Sequence, residues 1–237
     1  MKSDHIVNAY DQELKFLANR IAFMGGHAER MVDQAIQALV ASNPDLARKV
    51  VADDMALDEA QREIDDKAVI IIARRQPMAD DLREIIGAIR ISSDLERVGD
   101  LGKNIAKRVV SLSNAAQPIQ LFRGREALAQ LALTQLKEVL DAYATRSVAR
   151  IGQVRDRDDD IDAMYTSLFR ELLTYMMEDP RNIASCTHLL FCAKNIERIG
   201  DHATNIAETV YHIVTGDQMP AERPKEDKSH KVVIQAK

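Results

Sequence analysis

The sequence has no tryptophan, two cysteines, six prolines and nine glycines in 237 residues, and aromatic residues make up 4% of it. So few chain breakers leave long stretches in which nothing interrupts a helix. Those stretches are rich in Ala, Leu, Ile, Met, Glu, Asp and Arg, a helical composition. No run of eighteen apolar residues occurs, so no transmembrane helix or membrane insertion is expected. The first residues lead into an amphipathic pattern without an apolar h-region, so no signal peptide is expected. Cys186 and Cys192 are six apart on one predicted helix, on different faces, which suits neither a disulfide nor a zinc pair. They are expected to be small core residues in a reducing cytoplasm. The net charge of −5 lacks the basic excess that a phosphate backbone demands, which argues against nucleic acid as a partner. What remains is 46% hydrophobic, enough for a real core in one or two domains.

What is there is a repeat. Leu95-Glu96-Arg97-Val98-Gly99-Asp100 precedes Asn104-Ile105-Ala106, and Ile196-Glu197-Arg198-Ile199-Gly200-Asp201 precedes Asn205-Ile206-Ala207. Residues 94–106 and 195–207 share seven of thirteen positions without a gap. An internal repeat fixes the architecture before any local reading does. In each copy the Glu and Asp are four apart, so on a helix both carboxylates leave one face, one turn apart. Like charges at that spacing weaken a bare helix by a few tenths of a kcal/mol. A cation would offset this. For a single Glu-x-x-x-Asp a solvated acidic face would be the better reading; the repetition, with its Gly, Arg and Asn, favours a site.

The apolar spacing predicts six long helices, over about residues 5–41, 44–75, 79–113, 121–149, 154–177 and 181–215. In the first, Leu14, Leu17, Ile21, Met24, Ala28, Met31, Ala35 and Ala38 keep the 3-4 spacing of a bundle seam. Gly25-Gly26 within it predicts close approach of a neighbouring helix or subunit. Asn43-Pro44 reads as N-cap and first helical position. Gln76-Pro77 and Asp179-Pro180 are equivalent turns, and Gly152 marks a break. The expected fold is all-α: two tandem three-helix bundles with approximate two-fold symmetry. The domains are 1–113 and 121–215, joined by a linker at 114–120 and followed by a disordered tail at 216–237.

The turns predict which carboxylates meet. In an antiparallel hairpin, residues equidistant from the turn share a height, because both helices rise equally per residue. About Pro77, Glu96 mirrors Asp58 and Asp100 mirrors Asp54. About residues 179–180, Glu197 mirrors Asp162 and Asp201 mirrors Asp158. About Asn43-Pro44, Asp58 mirrors Glu29 and Asp54 mirrors Asp33. Lys137 and Asp141 fall at the corresponding positions of the second half, so a Lys there makes the two sites unequal. Carboxylates gathered this way repel and raise one another's pKa. Oxygen-seeking cations such as Mg, Mn, Fe or Zn would resolve the repulsion. The competing reading pairs the acids with Arg30, Arg62, Arg97, Arg157 and Arg198. The run Asp158-Asp159-Asp160 is otherwise solvated surface, with only Asp158 singled out by geometry. His188, His202 and Met176-Met177 read as structural.

The duplicated Glu-Arg-(Val/Ile)-Gly-Asp, with residues 72–77 and 173–180, resembles the PhoU family of bacterial phosphate-transport regulators. The resemblance covers nearly all the chain except the tail. It implies two three-helix bundles and metal held by Glu96, Asp100, Glu197 and Asp201, with Asp58, Asp162, Glu29 and Asp141 as weaker matches. It also implies a cytoplasmic homodimer without catalytic residues. That protein would link the ATPase of a phosphate ABC transporter (PstB-like) to a phosphate-responsive sensor histidine kinase (PhoR-like), and repress the phosphate-starvation response. Two other classes are open from the residues alone. A di-iron oxidoreductase in a helical bundle needs Glu-x-x-His, but Gly99 and Gly200 stand three after the motif glutamates. A metal-free scaffold would use its acids only for solvation.

Overall fold

The computed structural model describes residues 2–113 and 124–220. The expected linker at 114–120 lies outside them, as does the tail from residue 221 onward. Among the described residues all regular structure is helical, in seven α-helices. The first half holds α1 (Lys2–Ala41), α2 (Pro44–Asp53), α3 (Met55–Arg75) and α4 (Ala79–Leu112). The second holds α5 (Arg125–Thr145), α6 (Val148–Glu178) and α7 (Ile183–Thr215). With α2 and α3 taken as one bent rod, each half is a three-helix bundle.

The turns are built from the residues that the sequence singles out. Asn43 Oδ1 accepts hydrogen bonds from the Asp45 and Leu46 backbone N–H groups, both at 3.1 Å, and Pro44 opens α2 where its missing N–H is harmless. Gln76 ends α3 in the left-handed conformation, and Arg146 does the same for α5. Asp179 accepts from the Arg181 N–H across a single 3-10 turn that leads into α7.

Two expected features differ. The second rod is not continuous: it kinks at Asp54, where Leu57 N–H bonds the Asp54 carbonyl at 3.0 Å in a tightened turn. His27 Nε2 donates to the Asp53 carbonyl at 3.0 Å, drawing it away from the helix ladder. A side chain inserted there is a standard cause of a kink. Conversely, Gly152 breaks nothing. The chain turns earlier, at Arg146-Ser147, and α6 runs through Gly152, which faces open space. A helical glycine there costs about 1 kcal/mol relative to Ala without ending the helix.

The halves do not stand apart as two independent bundles. One hydrophobic cluster runs from Leu17 to Val210 through both. α4 and α7 cross at its centre, packing on each other as extensively as on their own bundle mates. They run antiparallel: Arg108 meets His188, Asp94 meets His202, and Gly87 lies against Thr209 and Ile213. Shifting residues of α4 by 101 positions converts the Arg108–His188 pair into Thr209–Gly87, so the crossing is itself pseudo-two-fold. The motif lies at that crossing. Gly25 lets α1 and α5 approach, since a Cβ there would stand 2.5 Å from Leu140 Cδ2; Gly26 meets only the end of Arg30. Cys186 and Cys192 are both buried and free, filling different sides of the same central helix.

Candidate functional site

The first carboxylate set lies between α3 and α4. Burial pushes the Glu96 carboxyl up, and Asp100 and Asp58 push it further, against the opposing charge of Arg97. Asp58 therefore faces Glu96, as the hairpin register predicts. Asp54 faces Asp100 in the same way, because the Lys103 ammonium donates to both. Burial alone would raise Asp100. Lys103 and Arg97, whose Nη1 lies 3.3 Å from Asp100, instead hold it below the usual carboxylate range. Between those same acids the Lys103 amine is held above its ordinary pKa.

The second set lies between α6 and α7 and is drier. Asp158, Asp162 and Glu197 are 3–4% exposed. Burial drives the Glu197 pKa up to about 7, with Asp201 and Asp162 adding to the shift and Lys194 opposing it from 2.7 Å. Asp162 thus sits by Glu197, again as the register predicts. Gln135 of α5 enters this set. Its buried amide donates to the Val154 carbonyl at 2.9 Å, to Asp158 Oδ1 at 3.4 Å and to Thr204 Oγ1 at 3.3 Å.

Neither Glu29 nor Asp141 joins its set. Glu29 is not among the charges that act on Glu96 or Asp100, and Asp141 is exposed, facing Arg150 at 3.6 Å. The mirror about Asn43-Pro44 assumes a straight hairpin, and the kink at Asp54 breaks that assumption. The residues that α1 and α5 present to the motif glycines are Met31, against Gly99, and Gln135, against Gly200. Lys137 consequently stands on the exposed face of α5. Of the arginines, Arg97 pairs with Glu96 and Asp100, while Arg157 pairs with Glu138 outside the sets. Lys103 and Lys194 are the charges that sequence reasoning missed. Both were readable, lying three residues from a motif acid on one helix. Gln135 carries no such signal.

The fit of a metal differs between the sets. Among the described residues no three His, Cys, Asp or Glu side chains converge as a ligand group. In the first set Lys103 already supplies the positive charge. In the second, Glu197 Oε2 and Gln135 Oε1 are buried without a hydrogen-bond partner. Orphaned buried oxygens are uncommon, and these are hard donors of the kind that Mg or Mn takes. Those two oxygens could face such an ion, which would supply charge neutralisation there.

Comparison with known proteins agrees with the duplicated architecture. The PhoU domain pattern matches twice, at residues 21–109 and 126–210. A Rhizobium meliloti protein named phosphate-specific transport system accessory protein PhoU homolog is 64% identical over 227 residues, covering 96% of each chain. A Caulobacter vibrioides protein of the same name is 49% identical, covering 95% of this chain and 98% of its own. The crystal structure of PhoU from Pseudomonas aeruginosa superposes with a TM-score of 0.82 at 36% identity, covering 88% of this chain and 100% of that one.

Proposed function

Since the chain belongs to the PhoU family, we propose that it is the accessory protein of a phosphate-specific transport system, regulating phosphate uptake and phosphate-starvation signalling. The observation that carries this reading is the pair of PhoU domains occupying both bundles. In this reading the protein works in the cytoplasm without a catalytic step. It contacts the transporter ATPase and a phosphate-responsive sensor histidine kinase, and keeps the phosphate regulon off when phosphate is ample. No helix among the described residues is long and apolar enough to cross a membrane, so contact with a membrane transporter would go through that transporter's soluble parts. Two related bundles locked by a shared core suit a rigid bridge between two partners, because little relative motion has to be frozen on binding.

The test is genetic. In a strain lacking the protein, an alkaline phosphatase reporter should stay on in ample phosphate, and deleting the kinase as well should silence it. A reporter that stays on without the kinase would remove the link to the kinase. A normal phosphate response in the single deletion would remove the regulatory role and favour a scaffold or an oxidoreductase.

The reading extends to metal at the second carboxylate set and to a homodimer. Metal analysis of the purified protein should find an oxygen-seeking divalent ion that the Glu197→Ala, Asp201→Ala double variant loses. Unchanged stoichiometry in that variant would reject the assignment. Sedimentation should give twice the 26.6 kDa chain mass; a monomer at all concentrations would reject the dimer.

A further inference from the structure

A second cavity, of about 360 Å³, opens on the other side of the α4–α7 crossing from the buried set. Its lining is Asn104, Lys107, Arg108, Ser111, His188 and Asn195. That list holds two fixed cations, a histidine, two amides and a hydroxyl, and no carboxylate. The volume lies at the lower end of the range for ligand pockets. Arg108 is half-buried and stacks on the Phe191 ring, its guanidinium carbon 4.1 Å from the centroid. One Nη contacts His188 Nδ1 at 3.5 Å, and its buried Nε has no hydrogen-bond partner. No carboxylate pairs with Arg108 or Lys107 among the described residues. A planar guanidinium held in place by the Phe191 ring and His188 is prepared for an oxyanion.

The pseudo-two-fold axis supplies an internal control. Residues 101 positions on from Asn104, Lys107, Arg108 and Ser111 are Asn205, Glu208, Thr209 and His212. All four line the other large cavity, of about 580 Å³, together with Asp158 and Asp201. The same place in the fold is therefore acidic and mixed on one side and purely cationic on the other. Scaffold geometry alone cannot account for a charge set that differs so consistently.

We propose that the cavity lined by Lys107, Arg108 and His188 binds a phosphate group. Arg108 would grip two oxygens through its fork, Lys107 would neutralise charge from the rim, and Asn104 and Asn195 would donate from either helix. This follows from the cavity's chemistry and does not rest on the regulatory reading. The group could be free inorganic phosphate or a phosphoryl group carried on another molecule.

Isothermal titration of the full chain with inorganic phosphate and with a phosphoserine peptide separates these sources. Binding of inorganic phosphate is expected. Lys107→Glu, at an exposed position, and Arg108→Gln should each weaken it by about tenfold or more, the loss of one charge-assisted contact. Arg155→Gln, in the mixed cavity, should leave it unchanged. Circular dichroism checks that each variant folds. Tighter binding of the phosphopeptide, with the same loss in Lys107→Glu, would assign the site to a carried phosphoryl group. Absence of binding to either probe, or binding that survives both Lys107→Glu and Arg108→Gln, would overturn the proposal.

Discussion

The first motif neutralises its acids with a lysine three residues after the Asp, and the second with a lysine three residues before the Glu. In the first half Lys103 bridges Asp54 and Asp100 from the rim, and water reaches the set. The equivalent of Lys103 in the second half is Thr204, which accepts a hydrogen bond from Gln135 instead. Its lysine, Lys194, holds only one oxygen of Glu197 and leaves the other without a partner. Nearly identical motifs thus sit in one partly solvated setting, where Lys103 and Arg97 face the acids, and one dry setting, where burial dominates. The motif itself does not determine its electrostatics. Burial and the charged residues around it do.

The largest expected effect is at Glu197. Its pKa in the folded protein is about 7, above the roughly 4.3 of an unfolded chain. The folded state therefore binds the proton more tightly, and stability should fall as pH rises from about 4.5 to 7 and then level off. Glu197→Gln should remove that slope and raise stability above pH 7 by about 4 kcal/mol. Urea denaturation across that range checks it. A slope that persists in Glu197→Gln would move the buried proton elsewhere. A bound divalent ion should also flatten the slope, so the profile should be recorded with and without chelator.

Next is Lys103. Removing it as Lys103→Met leaves Asp54 and Asp100 facing each other, with Arg97 beside Asp100. The set is partly solvated, so the expected loss is about 2 kcal/mol, between the values for surface and buried pairs. The raised pKa of Lys103 makes this stabilisation complete below the unfolded lysine value of about 10.4 and lost at higher pH. Denaturation at pH 7 and pH 11 separates the two. Equal stability of wild type and variant at pH 7 would show that the clamp contributes nothing.

A smaller effect concerns the crossing that joins the halves. His202 Nδ1 lies 2.9 Å from Asp94 Oδ1, and Asn205 reaches the same oxygen at 3.4 Å. The double-mutant cycle of Asp94→Ala and His202→Ala should give a coupling of about 1 kcal/mol. Zero coupling would mean that the Asp94–His202 pair contributes nothing to joining α4 to α7. The smallest effect is expected at Asp159 and Asp160, which are exposed beside buried Asp158. Asp159→Asn and Asp160→Asn should each change stability by less than about 0.5 kcal/mol. A larger change would enlarge the second set beyond the acids placed there.

The helices, their turns and the repeat were legible because each depends on local chemistry. Apolar spacing sets a helix face, Asn43-Pro44 sets a cap, and a fixed rise per residue carries the register from Pro77 to Asp54, Asp58, Glu96 and Asp100. That arithmetic succeeded across the two straight hairpins. It failed for Glu29, where His27 bends the intervening rod, and for Asp141, because the chain turns at Arg146-Ser147 and so brings Gln135 opposite Asp158. Lys103 and Lys194 could have been read from their i,i+3 spacing to the motif acids.

By itself the sequence determined an all-α protein with a duplicated unit and paired acids at equal heights on neighbouring helices, since periodicity and spacing are properties of one chain segment at a time. Only the tertiary structure decided that the two bundles share one core, that Gln135 enters the second set and Met31 the first, and that one side of the α4–α7 crossing is purely cationic. Those outcomes depend on which faces of distant helices are pressed together, and burial, the quantity that moves Glu197 to about 7, exists only after they are.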